Sequence, residues 1–214
     1  MIIVGAKGFA KEVLQIVSVD MGLLDKNIVF FDNVSKDLPL KIYDRFTILR
    51  SFEAVKTYLS NSEDKSFVLG LGQPKLRQNL YQEFLLLGAE PVSLYSKNSE
   101  IGNFDVKIGK ATSILSGVKI SNSVELGKGC LVYYNSIITH DCIIGDFVEL
   151  SPNATILGRS RIGDYTTLGA SSVILPDVSI GKNVIVGAGT IVLKDIPDNC
   201  TVVGVPGKII SKRD

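Results

Sequence analysis

The only histidine in this 214-residue chain, His140, is followed directly by Asp141. An imidazole changes charge near neutral pH, so it can take a proton from a reacting group and return it, and an adjacent carboxylate can orient the ring. The same pair has a plainer reading, as a structural histidine beside a solvated acid. A second candidate stands at the amino end. Ile2, Ile3 and Val4 lead into Gly5, Ala6, Lys7, Gly8, Phe9 and Ala10, a short apolar strand, a glycine turn and the start of a helical pattern. Amides at such a turn can meet a phosphate at the positive end of the helix. The spacing is G-x-x-G rather than the dinucleotide G-x-G-x-x-G, and a tight strand-to-helix turn also forms without a ligand.

Counting removes other chemistries. Three cysteines without paired spacing and a single histidine cannot build a disulfide scaffold or a three-histidine zinc site within one chain, so no metal is expected. None of the seven tyrosines has lysine four positions on, which removes the Tyr-x-x-x-Lys pair of nucleotide-dependent dehydrogenases and epimerases. With 23 basic against 22 acidic residues there is no electrostatic footprint for nucleic acid or an anionic membrane. No segment reads as a signal peptide or a membrane span, which places the protein in the cytoplasm.

Two kinds of element must position these groups. Over residues 1–93, apolar strands alternate with helical patterns. The strands are Ile2 to Val4, Ile28 to Phe31 ending at Asp32 and Asn33, and Phe67 to Leu69 running into Gly70, Leu71, Gly72 and Gln73. Pro74 opens a helix that Gly88 stops. This predicts a small Rossmann-like parallel α/β sheet of four strands, with Asp32, Asn33, Gly72 and Gln73 at its carboxyl edge facing the same crevice as the glycine turn. The segment 38–49 is the least defined.

From Ile108 to Val192 every sixth residue is Ile, Leu or Val, in fifteen of fifteen hexads, and four residues after each of the first fourteen stands Thr, Val, Cys, Ser or Ala. A helix has no use for a strict period of six. A parallel β-helix does, with the aliphatic and small residues pointing into a triangular prism and glycine permitting the corners. Three hexads make a coil of eighteen residues, so the fifteen hexads form about five coils within a β-helix domain of residues 94–214. Cys130 and Cys142 fall on small-residue positions and are core thiols. His140 is the third residue of its hexad and projects outward, with Gly158 one coil beyond it. There the glycine leaves space for a reacting group, and its N–H can donate to a developing oxyanion. Outward apolar residues such as Val132, Ile143 and Ile185 offer faces for symmetric packing.

These hexads, the pair His140 and Asp141 following Ile138 and Thr139, and the ending Val203, Gly204, Val205, Pro206, Gly207, Lys208 resemble the hexapeptide acyltransferases. With the glycine-rich amino-terminal domain, the resemblance narrows to the bacterial PglD/NeuD-like sugar acetyltransferases and spans essentially the whole chain. It implies a left-handed coil, a homotrimer with sites between subunits, acetyl-CoA as donor, and a nucleotide-linked amino sugar as acceptor, most specifically the 4-amino group of a deoxysugar destined for a surface glycan. It further implies that His140 is the general base, that Asp141 orients it, and that Gly158 N–H holds the oxyanion. The nucleotide and sugar would lie on Gly5, Lys7, Gly8, Phe9, Asp32, Asn33, Gly72 and Gln73. The CoA arm would run past Gly158, Ala170, Ala188, Val205 and Pro206. Many relatives carry a second histidine where this chain has Glu149, a carboxylate that can accept from an acceptor ammonium but cannot donate to a thioester carbonyl unless protonated. O-acetylation of a sugar hydroxyl and a non-catalytic sugar-nucleotide scaffold are the alternatives.

Overall fold

Three wholly buried apolar residues form β1 (Ile2–Val4) at the centre of a sheet in the computed structural model, which describes residues 1–213. The chain divides into two compact units, Met1–Leu94 and Tyr95–Asp214. In the first, β1 pairs in parallel with β2 (Val29–Phe31), and β2 pairs with β4 (Phe46–Leu49); on the other side β1 pairs with β5 (Ser66–Leu69), which pairs with β6 (Glu90–Pro91). A hairpin strand β3 (Lys41–Ile42) runs antiparallel to β4 and completes the order β3-β4-β2-β1-β5-β6.

The sheet therefore has six strands rather than the expected four. β3 and β6 are two residues each, too short for a periodicity to show. The β3–β4 turn uses Tyr43 and Asp44 at φ 52° and 55°, without the glycine that usually marks such a turn. Three helices pack on the sheet: α1 (Gly8–Gln15), α2 (Phe52–Asn61) and α3 (Pro74–Leu86). α2 is an addition to the sequence reading, although its start is written in Ser51, whose hydroxyl accepts from Ala54 N–H at 3.1 Å, and its inner face in Val55 and Leu59. Phe31, Phe67 and Phe84 meet in the core with ring centroids 5.1 and 5.2 Å apart. The order of connection reverses at β1, so the chain leaves β1 and β5 on opposite sides and opens a crevice at their carboxyl ends.

The second unit is a parallel β-helix wound in the left-handed sense, with three sheets of eight, six and five strands. Successive strands on one face pair eighteen residues apart, as Ile138 does with Ile156 and Ile144 with Ile162. All the hexad aliphatics from Ile114 to Val192 are buried, and the small inward hydroxyls of Thr112, Ser136, Ser160 and Thr166 donate to carbonyls of the next coil, while the buried Ser172 Oγ has no partner among the described residues. Ser136 Oγ donates to Ser151 O at 3.0 Å, and Thr166 Oγ1 to Gly181 O at 2.8 Å. The helix begins before the regular hexads, with Glu100 and Ile101 paired to Lys119 and Ile120 at a spacing of nineteen, one residue beyond the repeat.

Two expectations need correcting. Val132 is a hexad aliphatic residue and is fully buried inside the prism, whereas Ile143 and Ile185 do face outward. The glycines after the aliphatic residues are not there to turn the corner. The corners are turned by left-handed residues three after the aliphatic one, such as Asn135, Asp141, Asn153, Arg159 and Asp177 at φ 58° to 64°, and at Gly117, Gly129 and Gly189 by glycine at φ 65° to 75°. The glycines instead permit contact between coils. A Cβ on Gly109 would stand 2.4 Å from Lys128 N, and one on Gly163 would stand 2.6 Å from Gly181 C.

Candidate active site

One edge of the prism, where the six-stranded sheet bends into the five-stranded one, carries a backbone ladder of three bonds across four coils. Asp141 N–H donates to Asn122 O at 3.3 Å, Arg159 N–H to His140 O at 3.0 Å, and Asp177 N–H to Gly158 O at 3.0 Å. The eighteen-residue period thus puts His140 and Gly158 in one column and Asp141, Arg159 and Asp177 in the next. His140 Nδ1 lies 2.7 Å from Asp141 Oδ2. A carboxylate oxygen accepts, so in the neutral imidazole this pairing places the proton on Nδ1 and the lone pair on Nε2. Both side chains are half exposed.

The imidazole leans onto Gly158. A Cβ there would lie 2.6 Å from His140 Cε1 and 2.8 Å from Nε2. The space left by the missing side chain is therefore filled by the imidazole itself, not held open for a reacting group as the sequence reading had it. The flanking amides of Leu157 and Arg159 are used in the coil-to-coil ladder at 3.0 Å each, while among the described residues Gly158 N–H takes no part in it. A proton acceptor and an amide donor are thus neighbours on one edge, an arrangement suited to nucleophilic attack at a carbonyl.

The second column was missed, although counting eighteen from Asp141 would have found it. Arg159 grips Asp177 with Nε and Nη2 at 2.6 and 2.7 Å. These bonds hold Asp177 below the usual carboxylate range and raise Arg159 further. Below the site, burial pushes the Cys142 thiol up, as befits a core residue.

Ala170 and Ala188 lie on a different edge, between the eight- and six-stranded sheets, where Gly189 N–H donates to Ala170 O at 2.8 Å. Val205 and Pro206 follow the last parallel strand of that eight-stranded sheet, and the bond between them is cis. Gly158 is not on that edge. Glu149 is on a strand of the eight-stranded sheet, paired with Leu131 and Thr167, so within one chain the topology places it away from the His140 edge.

In the other unit, the crevice at the carboxyl edge is a cavity of about 520 Å³. Gly5, Lys7 and Phe9 line it from the glycine turn, Asp32 and Asn33 from the end of β2, and Gly72 and Gln73 from the loop after β5. Gly8 opens α1 but is not part of the wall. Gly5 is required by its conformation, φ 112°, and by a close approach, since a Cβ would meet Gly70 O at 2.5 Å. Asp32 is committed to its own loop: Oδ1 accepts from Val34 N–H at 3.1 Å and Ser35 N–H at 2.8 Å, and Oδ2 from Ser35 Oγ at 3.0 Å. Sequence reasoning missed the apolar wall of Val34, Leu71, Leu76 and Leu80. Leu76 and Leu80 lie on the helix that Pro74 opens, but the helix period does not say which of its apolar residues reach the crevice.

The family profile described as the PglD N-terminal domain matches residues 1–84, and that of the bacterial transferase hexapeptide (six repeats) matches residues 159–194. A curated relative, the GDP-perosamine N-acetyltransferase of Escherichia coli O157:H7, is 30% identical over 160 residues, which span 73% of this chain and 69% of the relative. The chain belongs to the PglD/NeuD-like hexapeptide sugar acetyltransferases. Solved structures are similar to nearly the whole chain. PerB from Caulobacter crescentus, in complex with CoA and GDP-perosamine, matches with a TM-score of 0.82 at 25% identity, covering 98% of this chain and 96% of that one. The acetyltransferase domain of PglB from Neisseria gonorrhoeae FA1090, in complex with acetyl coenzyme A, shares the fold with a TM-score of 0.85 at 24% identity, covering 98% of each chain. No cluster of metal-ligating side chains is present among the described residues, and none of their helices is long and apolar enough to cross a membrane.

Proposed function

We propose that this enzyme transfers acetyl from acetyl-CoA to the amine of a nucleotide-linked amino sugar, with His140 as general base. The observation that carries the assignment of the base is the 2.7 Å bond from Nδ1 to Asp141, which leaves the Nε2 lone pair beside Gly158. His140 Nε2 takes a proton from the neutral amine as the nitrogen attacks the thioester carbonyl. The negative charge that develops on the carbonyl oxygen is met by Gly158 N–H. When the tetrahedral intermediate collapses, the C–S bond breaks and the imidazolium returns the proton to sulfur, releasing CoA as its thiol. Asp141 stabilises the imidazolium in between and keeps the tautomer correct.

The nucleotide lies in the 520 Å³ cavity, with Lys7 and the α1 amino end toward its phosphates. The CoA arm passes the edge of Ala170, Ala188, Val205 and Pro206, where small side chains permit close approach. The acceptor nitrogen is the 4-amino group of a deoxysugar used in a surface glycan, a reading supported by the curated relative, whose name specifies a GDP-linked amino sugar. The working assembly is a cytoplasmic homotrimer. Its packing is supported by the outward Ile137, Ile143 and Ile185, each more than a third exposed in the single chain.

The test is thiol release from acetyl-CoA with UDP-, GDP- and dTDP-linked amino sugars and their hydroxyl counterparts. His140→Ala is expected to lower turnover on the best acceptor by roughly 10²-fold or more with little change in acetyl-CoA affinity. Near-normal turnover would overturn the base. Turnover on the hydroxyl counterparts alone would move the enzyme to O-acetylation, and the absence of thiol release with any acceptor would leave a scaffold.

A further inference from the structure

Arg77 is the largest fully buried side chain of the protein, with 1% of its surface exposed. It stands on the first turn of α3, behind the wall of the nucleotide cavity and not in it. Burying a guanidinium is costly, so its position calls for a reason beyond filling space. Its Nη1–H donates to the carbonyl of Gly72, in the 70–73 loop whose residues form that wall. The backbone of the same turn closes with Arg77 N–H on Gln73 O at 3.0 Å.

In a trans peptide the carbonyl and the following N–H point in opposite directions. Drawing the Gly72 carbonyl back toward Arg77 therefore turns the Gln73 N–H away from Arg77. Gln73 lines the cavity and caps the amino end of α3. We propose that Arg77 is a positioning residue for the acceptor: it locks the Gly72-to-Gln73 peptide so that Gln73 N–H faces the cavity as a donor for the nucleotide's diphosphate. This rests on the reading of that cavity as the nucleotide site. Arginine suits the task because a charge-assisted bond from a rigid planar fork holds a carbonyl orientation that a neutral donor on a flexible stem would not.

The experiment measures dissociation constants by titration calorimetry for UDP, GDP and dTDP, and separately for acetyl-CoA, on the full chain. Arg77→Met is expected to weaken the preferred nucleoside diphosphate by roughly tenfold to a hundredfold, the range for a lost charged or buried hydrogen bond, with acetyl-CoA within twofold of the parent. Arg77→Lys keeps the charge but not the fork and is expected to weaken it by roughly threefold to tenfold. A purely structural role would lower the melting temperature without separating the two ligands. Leu76→Trp, which narrows the cavity from the exposed side of α3, tests the underlying reading. If it weakens the nucleotide while folded Arg77→Met stays within twofold of the parent, the positioning role is refuted and the cavity stands. If Leu76→Trp leaves the nucleotide unaffected, the cavity reading and the proposal fall together. Should Arg77→Met not fold, Arg77→Lys decides, and an unchanged nucleotide affinity in it refutes the proposal.

Discussion

Adding one methyl group at Gly158 tests the catalytic edge most directly. The Cβ of Gly158→Ala would lie 2.6 Å from His140 Cε1 and 2.8 Å from Nε2, against a comfortable separation of about 3.5 Å or more. One of the two must give by roughly 1 Å. The backbone of Gly158 is held by its carbonyl's bond from Asp177 N–H, while the imidazole is half exposed and ends a flexible side chain, so the ring moves. It swings toward solvent and loses the 2.7 Å bond to Asp141. Misplacing a catalytic group by about 1 Å costs on the order of 10²-fold in rate. Gly158 does not need a left-handed conformation, so stability should hold or rise by about 0.4–1 kcal/mol. The assay is steady-state thiol release together with thermal melting. The expected result is a turnover loss of roughly 10²-fold, an acetyl-CoA Michaelis constant within threefold, and an unchanged or higher melting temperature. Gly163→Ala is the contrasting control. Its Cβ meets the backbone of Gly181 at 2.6 Å, which cannot step aside, so it should destabilise by about 1–3 kcal/mol. Full turnover in Gly158→Ala would show that the ring does not rest on Gly158 in the working enzyme. Equal loss of stability in both variants would show that Gly158 is only a packing glycine.

If one chain's nucleotide cavity serves another chain's histidine in the trimer, mixing Leu76→Trp with His140→Ala should restore activity at about one quarter of sites, half times half; mass-verified mixed trimers without recovery would exclude that arrangement. Burial raises the Cys142 thiol, so native protein should resist alkylation at that residue at mildly alkaline pH, with labelling appearing only on unfolding; rapid native labelling would contradict its place in the prism core. Asp164 is pushed upward by burial, but bonds from the Lys182 ammonium at 2.9 Å and Asp146 N–H at 2.9 Å outweigh this and lower it. A depressed carboxylate contributes stability above its unfolded pKa of about 3.9 and loses it as pH falls through the lower folded value. Asp164→Asn should therefore flatten the decline in melting temperature below about pH 4, and an acid limb identical to the parent's would count against the pairing.

The hexads of residues 108–192 were legible without coordinates because a prism with three equal faces imposes its period on the chain. The same period, counted forward, placed Gly158 beside His140, and the strand ends at Asp32 and Gly72 marked the crevice that the sheet opens. What a glycine or an acid does at those places was not legible. Whether Gly109 turns a corner or makes room for Lys128 depends on the distance between coils, and whether Asp32 faces a ligand or bonds its own loop depends on where Val34 and Ser35 fold back. The buried Arg77 reads as one more exposed helix cation until α3 is laid on the sheet, and Arg159 shows its partner only when Asp177 arrives one coil later. Periodicity is a property of spacing along the chain and survives in the sequence. Hydrogen-bond partners and excluded volume belong to residues brought together from distant positions, and only the packed structure decides them.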